Sequence, residues 1–237
     1  MSKLLMQSAL ALLLCAALSA NAAPGVQKTD PGKYPDTAGT EYEQSIITIP
    51  LYAKGKSEPV EILKLTAFMR LERELPRRNG LGHRQLEFTI ADWELYGYSK
   101  YLDSDVTFKL SDVPVQPKSL VVSLTEAADY PAMIVYNAIY DIYIGRKLVA
   151  KNRPGVAFAK NVYEIPPRNI SVAFSKPFTL QAADAKAIGG KAQIATSGVE
   201  FSDGTCEDMT QIPQSEFEEG LQISRAIRAG TYTLMPK

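Results

Sequence analysis

The chain has 237 residues and an even balance of 26 Lys and Arg against 26 Asp and Glu, with one His and two Cys. Such a balance leaves no electrostatic footprint for nucleic acid, and Arg77-Arg78, the basic cluster that stands out, falls at an expected turn. The length suits a single domain, or a domain with an appendage, and is enough to bury a proper core.

The first 22 residues read as a cleaved export signal. Lys3 gives the positive start, Leu4 to Leu18 is apolar apart from Gln7 and Ser8, and Ala20-Asn21-Ala22 places small residues where a signal peptidase reads them. The uninterrupted apolar part, Ala9 to Leu18, is short of the roughly 20 residues that span a bilayer. Cys15 does not make a lipoprotein signal, because Leu14 stands where a small residue is needed. Processing after Ala22 removes Lys3 and Cys15, leaving 25 basic against 26 acidic residues and Cys206 as the sole thiol. An internal disulfide is then impossible, so packing alone must hold the core. The acids around Cys206 (Asp203, Glu207 and Asp208) disfavour a thiolate, which points to an inert cysteine. The expected location is the periplasm or the extracellular space of a bacterium.

Residues 23–43 are rich in Pro, Gly, Asp and Thr and read as a flexible linker. The β signal starts at Gln44, with Ser45 to Ile49. Glu61 to Leu75 contains many helix formers, yet Leu63, Leu65, Ala67, Met69 and Leu71 alternate with polar residues, Phe68 being the exception. A period of two over that window predicts a strand, and Asn79-Gly80 predicts a tight turn after it. Leu86, Phe88 and Ile90 continue the alternation. Further strands are expected at 106–110, 120–124 and 133–144, then in pieces at 148–149, 156–158, 162–163 and 170–174, divided by Pro154, Pro166-Pro167 and Pro177. Residues 181–195 read as a loop. A helix is expected near the end, with Ser215 as cap, Glu218 at the capping-box position and Gly230 as terminator, and Gly220 as a weak point. Tyr232 to Leu234 is expected to return as a strand.

The fold expected is therefore all-β, a mainly antiparallel β-sandwich with a short C-terminal helix. The sandwich occupies 44–180, and 181–237 packs on the same domain. A lipid-facing barrel is disfavoured because charges fall on both faces of most strands, and because the last residues are Pro236-Lys237 rather than an aromatic.

The residues disfavour most catalytic chemistries. His83 lies among Gly80, Leu81, Gly82 and Arg84 at a hairpin end, and no Gly-x-Ser-x-Gly elbow accompanies it. One His and one Cys far apart cannot make a usual zinc site. Gly189-Gly190-Lys191 lacks the spacing of a phosphate loop. Asp103 and Asp105, or Asp203 with Glu207 and Asp208, offer oxygens for calcium but in no EF-hand spacing. Asn169-Ile170-Ser171 matches a glycosylation sequon by chance, given the bacterial export signal. No metal and no cofactor is implied.

The segment from Asp92 to Tyr101 is the most suggestive. Trp93, Glu94, Tyr96, Tyr98 and Tyr101 are the candidate ligand contacts, since exposed aromatics stack on sugar faces while acids accept hydroxyl protons. The competing reading puts Trp93 in the core and the tyrosines along a strand, as aromatics commonly are. The function expected is that of an exported, non-catalytic envelope protein with a binding or structural role, its partner a protein or a glycan. A secreted hydrolase using carboxylates such as Asp92 and Glu94 on glycans is the alternative, and a subunit joined by strand addition a third. Expressed in a bacterium with its first 22 residues, the processed protein is expected to begin at Ala23. N-terminal sequencing or intact mass checks this, and an unprocessed chain in the cytoplasm would refute it.

Overall fold

A computed structural model of the chain describes residues 32–53, 55–167, 172–174, 178–179, 200–201 and 204–234. The export signal at 1–22, the first part of the linker, the loop at 181–195, Asp203 and the 169–171 sequon lie outside them.

Alternation sets the first strand. In β1 (Gly39–Tyr52) Glu41, Glu43, Ser45, Ile47, Ile49 and Leu51 are buried while the residues between them keep partial exposure. β1 pairs antiparallel with β2 (Glu61–Arg73) from Gly39↔Arg73 to Leu51↔Glu61, which turns Leu63, Leu65, Ala67, Met69 and Leu71 to the same side. Phe68 breaks the alternation in sequence because it is buried on the opposite face, beneath a helix. After β3 (Arg77–Arg78) and the expected turn, closed by the Gly82 N–H on the Asn79 carbonyl, β4 (Arg84–Ser99) pairs back on β2. An irregularity between Arg70 and Leu71, opposite Ile90 and Asp92, shifts the parity of β4. Phe88 and Ile90 point inward before it, Trp93 and Leu95 after it.

β5 (Ser104–Leu110) and β6 (Lys118–Ser123) lie end to end between β4 and β7 (Ala132–Ile144). β8 (Lys147–Val162) is one strand where the sequence suggested three pieces. Asn152, at φ 52°, lets it bulge around Pro154 and gives its N–H to Asp141 at 2.9 Å instead of to the ladder. β9 (Val172–Phe174), β10 (Phe178–Thr179), β11 (Glu200–Phe201) and β12 (Thr205–Gln211) complete the sheet. Its order runs β1-β12-β9-β8-β7-β5-β4-β2 and returns to β1.

The all-β fold, the antiparallel pairing and the C-terminal helix are as the residues predict. The two facing walls, however, belong to one sheet that closes on itself as a barrel. In chain terms β2 bonds to both β1 and β4, and β1 to both β2 and β12, which closes the ring, while β11 and β10 extend from the end of β1. The core lies inside the barrel and is apolar, whereas β2 turns Lys64, Thr66, Arg70 and Glu72 outward. That is the reverse of a barrel facing lipid, and among the described residues no helix is long and apolar enough to cross a membrane.

Order begins earlier than the linker reading placed it. Tyr34 is buried, its N–H donates to Asp129 at 2.7 Å and its ring meets Tyr130 edge-on at 5.2 Å. β1 then starts at Gly39, five residues ahead of Gln44. Its polar opening residues are ordered by backbone pairing to β2, which composition does not register. Tyr232 to Leu234 forms no strand; the Leu234 N–H donates to Asp105 at 3.0 Å.

The helix α1 (Gln214–Ala229) starts after Pro213, without a side-chain cap, so Ser215 falls inside it, and it ends on Gly230 in the left-handed region at φ 74°. Phe217 and Leu221 seat it over Phe68 on the outside of the barrel. Gly220 has a positive reason to be glycine: a Cβ there would stand 2.5 Å from the Phe68 ring. Gly220→Ala is expected to destabilise the protein by roughly 1–3 kcal/mol, despite alanine's better helix propensity. Urea unfolding of the two proteins measures it, and an unchanged or raised midpoint would refute the close contact.

Candidate functional site

A closed sheet of eight rows has an interior just wide enough for side chains or one small ligand. Here the filling is incomplete. A cavity of about 50 Å3 lies inside the barrel, and six strands contribute to its wall. β1 supplies Ser45 and Ile47, β2 supplies Met69, and β4 supplies Ile90 and Trp93. The opposite wall is Tyr136, Ala138 and Tyr140 of β7 with Gly155 and Ala157 of β8, and Cys206 and Met209 of β12 close the circle. The space exists because small residues, Ala138, Gly155 and Ala157, face large ones across it. Its rim is aromatic: Trp93 and Tyr140 meet edge-on at 5.7 Å, and Phe108 tilts against Tyr140 at 5.7 Å. Tyr140 and Gly155 are the two lining positions that stay half-exposed, so this side faces the way out. The Tyr140 ring lies across Gly155, where a Cβ would come within 2.6 Å of it.

The polar groups of the interior are unevenly matched. Arg73, almost wholly buried, donates from Nε to Glu41 at 2.7 Å and also reaches the carbonyl of Thr37, so that charge pair is neutral and tied to the chain entering β1. Glu43 is the next inward residue of β1 and is 1% exposed, yet neither carboxyl oxygen has a hydrogen-bond partner among the described residues. Met69 is its partner across the β1–β2 ladder and Ser45 the next inward residue along β1, and both of these line the cavity, but Glu43 itself does not. Burial, reinforced by Glu41, holds the Glu43 carboxyl well above the ordinary carboxylate range. Burial likewise pushes the Cys206 thiol up to about 11 and the Tyr136 phenol well above its usual value. Tyr136 gives its hydroxyl proton to the Met209 sulfur at 3.3 Å. At neutral pH the cavity is therefore lined by uncharged groups.

The residues singled out in sequence separate onto different surfaces. Trp93 is inside and lines the cavity. Glu94 and Tyr96 point outward from the same strand and are covered by α1. Glu94, 3% exposed, accepts a two-pronged pair from Arg228, one arm at 2.7 Å, and Tyr96 stacks on Phe68 at 6.0 Å. Tyr98 donates to Asp103 at 2.6 Å on the surface, and Tyr101 packs partly buried against the core. No single groove gathers these aromatics. Asp92 is held up in pKa by burial and by Glu94, against the pull of Arg225 at 3.7 Å. His83 Nδ1 lies 2.8 Å from the Ser123 carbonyl, a contact that fixes the turn. Among the described residues no cluster of three metal-ligating side chains occurs.

Glu43 was not legible as a site because it sits at the end of the stretch read as linker. The signal was present, though. Glu41, Glu43 and Ser45 keep the same parity as Ile47, Ile49 and Leu51, so the period extends backward from the apolar part and carries two acids into the interior.

No family model matches the chain, and no curated protein matches its sequence. Among solved structures it is similar to DynF from the dynemicin biosynthesis pathway of Micromonospora chersina, at 10% identity and a TM-score of 0.59 over 79% of this chain and 87% of that one. At that identity the likeness concerns the fold alone.

The position of Glu43 has a measurable consequence. An acid whose folded-state pKa is raised binds more protons folded than unfolded above pH 4.5, so it subtracts stability as pH rises from there towards its folded value. Glu43→Gln keeps the shape of the protonated acid and is expected to remove that slope, which for one proton reaches at most about 1.4 kcal/mol per pH unit. The variant should match the parent at pH 4 and exceed it at pH 8 in denaturant unfolding. Parallel curves over that range would show that Glu43 is not buried in this way.

Proposed function

We propose that this chain is an exported, non-catalytic binding protein of the bacterial envelope, and that its ligand is a small, largely apolar molecule held inside the barrel. The observation that carries the reading is the cavity itself: a gap of about 50 Å3 in the apolar interior, ringed by aromatic and methionine side chains and only partly buried on the side of Tyr140 and Gly155. Small-molecule sites are typically concave, apolar and equipped with a few polar groups, and barrel interiors are among their usual places. Packing costs reinforce this, since a void of that size forfeits dispersion contacts that a filled core would gain.

Binding suits the reactive groups better than catalysis does. The thiol of Cys206 is buried and its pKa raised, the imidazole of His83 is engaged at a turn, and Glu94 is held by Arg228. Trp93 is the one aromatic of the suggestive segment that enters this site, and it does so from the inside of the strand.

Xenon, small and apolar, is the direct probe. Under xenon pressure the methyl resonances of Met69, Met209 and Ile47 are expected to shift saturably. Ala138→Leu, which fills the gap, is expected to abolish the shift while leaving the far-UV circular dichroism unchanged. Unsaturable shifts scattered over the surface would overturn the reading.

A further inference from the structure

We propose that the ligand enters between the Tyr140 ring and Gly155, and that this entrance, with the small space behind it, selects a slender unbranched alkyl end over an aromatic ring. The inference rests on the interior-binding reading above and deepens it by naming the class of ligand.

The wall itself points to the entrance. Of the twelve residues that line the cavity, ten are buried, and the two that are not, Tyr140 and Gly155, lie against each other. Both sit where strand bonding is interrupted. On one side of β7 no strand meets Ile139, and the Gln116 side chain accepts from its N–H at 2.9 Å and donates to its carbonyl at 3.2 Å. On the other side the β7–β8 ladder shifts register between Tyr140 and Ile142, and Pro154, beside Gly155, has no N–H to give. Gly155 does not have a positive φ, so what it contributes is room: a Cβ there would stand 2.6 Å from the Tyr140 ring. With no side chain beneath it the ring covers the gap, resting edge-on against Trp93 and tilted against Phe108, each at 5.7 Å. A ring on the partly exposed side can turn towards solvent, whereas moving any other lining side chain disturbs the buried core.

The space behind the ring sets the class. Its polar groups are engaged with one another, the Tyr136 hydroxyl with Met209 and Ser45 with Cys206, so the site suits hydrocarbon. An engineered apolar cavity of about 150 Å3 holds benzene, and the space here, about 50 Å3, is far short of that. A planar ring is thus excluded, while a chain one carbon wide fits and trails out past Tyr140. Any polar group the ligand carries stays outside.

Methyl NMR of the folded protein titrated with n-butane and with benzene, together with xenon exchange NMR, tests this. The parent is expected to bind n-butane at least tenfold tighter than benzene. Tyr140→Ala, which removes the cover and widens the space, is expected to bring the two within about twofold and to speed xenon exchange at least tenfold. Tyr140→Leu replaces it should the alanine variant fail to fold. Ile90→Ala widens the cavity from β4, away from the entrance, and is expected to leave xenon exchange within twofold of the parent. A parent that binds benzene as tightly as n-butane overturns the ligand class. Xenon exchange that Tyr140→Ala leaves unchanged, or that Ile90→Ala speeds equally, overturns the entrance; in each of these cases the interior-binding reading stands. A parent that takes neither xenon nor either hydrocarbon overturns that reading and the inference with it.

Discussion

Closure of the sheet through β1 is the constraint on which the rest depends. β1 is bonded along its whole length to β2 on one side and to β12 and β11 on the other. A strand that lost either partner would expose a row of amides and carbonyls, each needing a new acceptor or donor, and would open an apolar interior to water. The pairing joins residues near 39–52 to residues near 200–211, so the core is sealed by contacts that are distant in sequence. The cavity inherits this dependence. Its walls come from six strands, and β1 and β12, the two that meet last in chain order, bring Ser45, Cys206 and Met209 to it.

Three buried glutamates show how unevenly the same fold treats one side chain. Glu41 is neutralised by Arg73 at the end of the barrel, and Glu94 by Arg228 under the helix. Both pairs knit separate parts of the chain: the first ties the residues entering β1 to β2, the second ties α1 to β4. Glu43 knits nothing. Among the described residues neither of its carboxyl oxygens has a hydrogen-bond partner that would offset its desolvation.

The sequence carried the fold class well and the site poorly, for physical reasons that differ by element. Period-two alternation is set by backbone geometry, so β2, β5, β6 and β7 could be read from Leu63 to Leu71, from Val106 to Leu110, from Leu120 to Leu124 and from Met133 to Ile144. What alternation cannot report is closure: a strand facing a second sheet and a strand facing across a barrel have the same pattern. Phe68 looked like an exception because its partner is α1, some 150 positions away by the chain's numbering. The parity change in β4 hid in a one-residue bulge, so Ile90 and Trp93, which plain alternation would put on opposite faces, both point inward. Pro154 appeared to end a strand that in fact passes it, in a bulge where Asp141 accepts the Asn152 N–H in place of the ladder. Glu43 was the largest loss, because acids in a Pro- and Gly-rich approach look solvated until the strand behind them is traced back through its parity.

The barrel wall beside the cavity is also uneven in how it is held. Between β4 and β7 the row is filled by β5 and β6 in succession, and the loop between them leaves the middle of β7 without a strand partner on that side, while β8 pairs it on the other. Side chains substitute for the ladder. Gln116 accepts from the Ile139 N–H at 2.9 Å and donates to its carbonyl at 3.2 Å, Ser119 accepts from the Asn137 N–H at 2.9 Å, and Ser111 joins Asp141. Bonds of this kind satisfy the backbone without fixing neighbouring residues, so they yield locally where a ladder yields only as a unit. Tyr140, the half-exposed ring over Gly155, is the residue that follows Ile139. The stretch of β7 where side chains stand in for ladder bonds thus adjoins the cavity's partly exposed side.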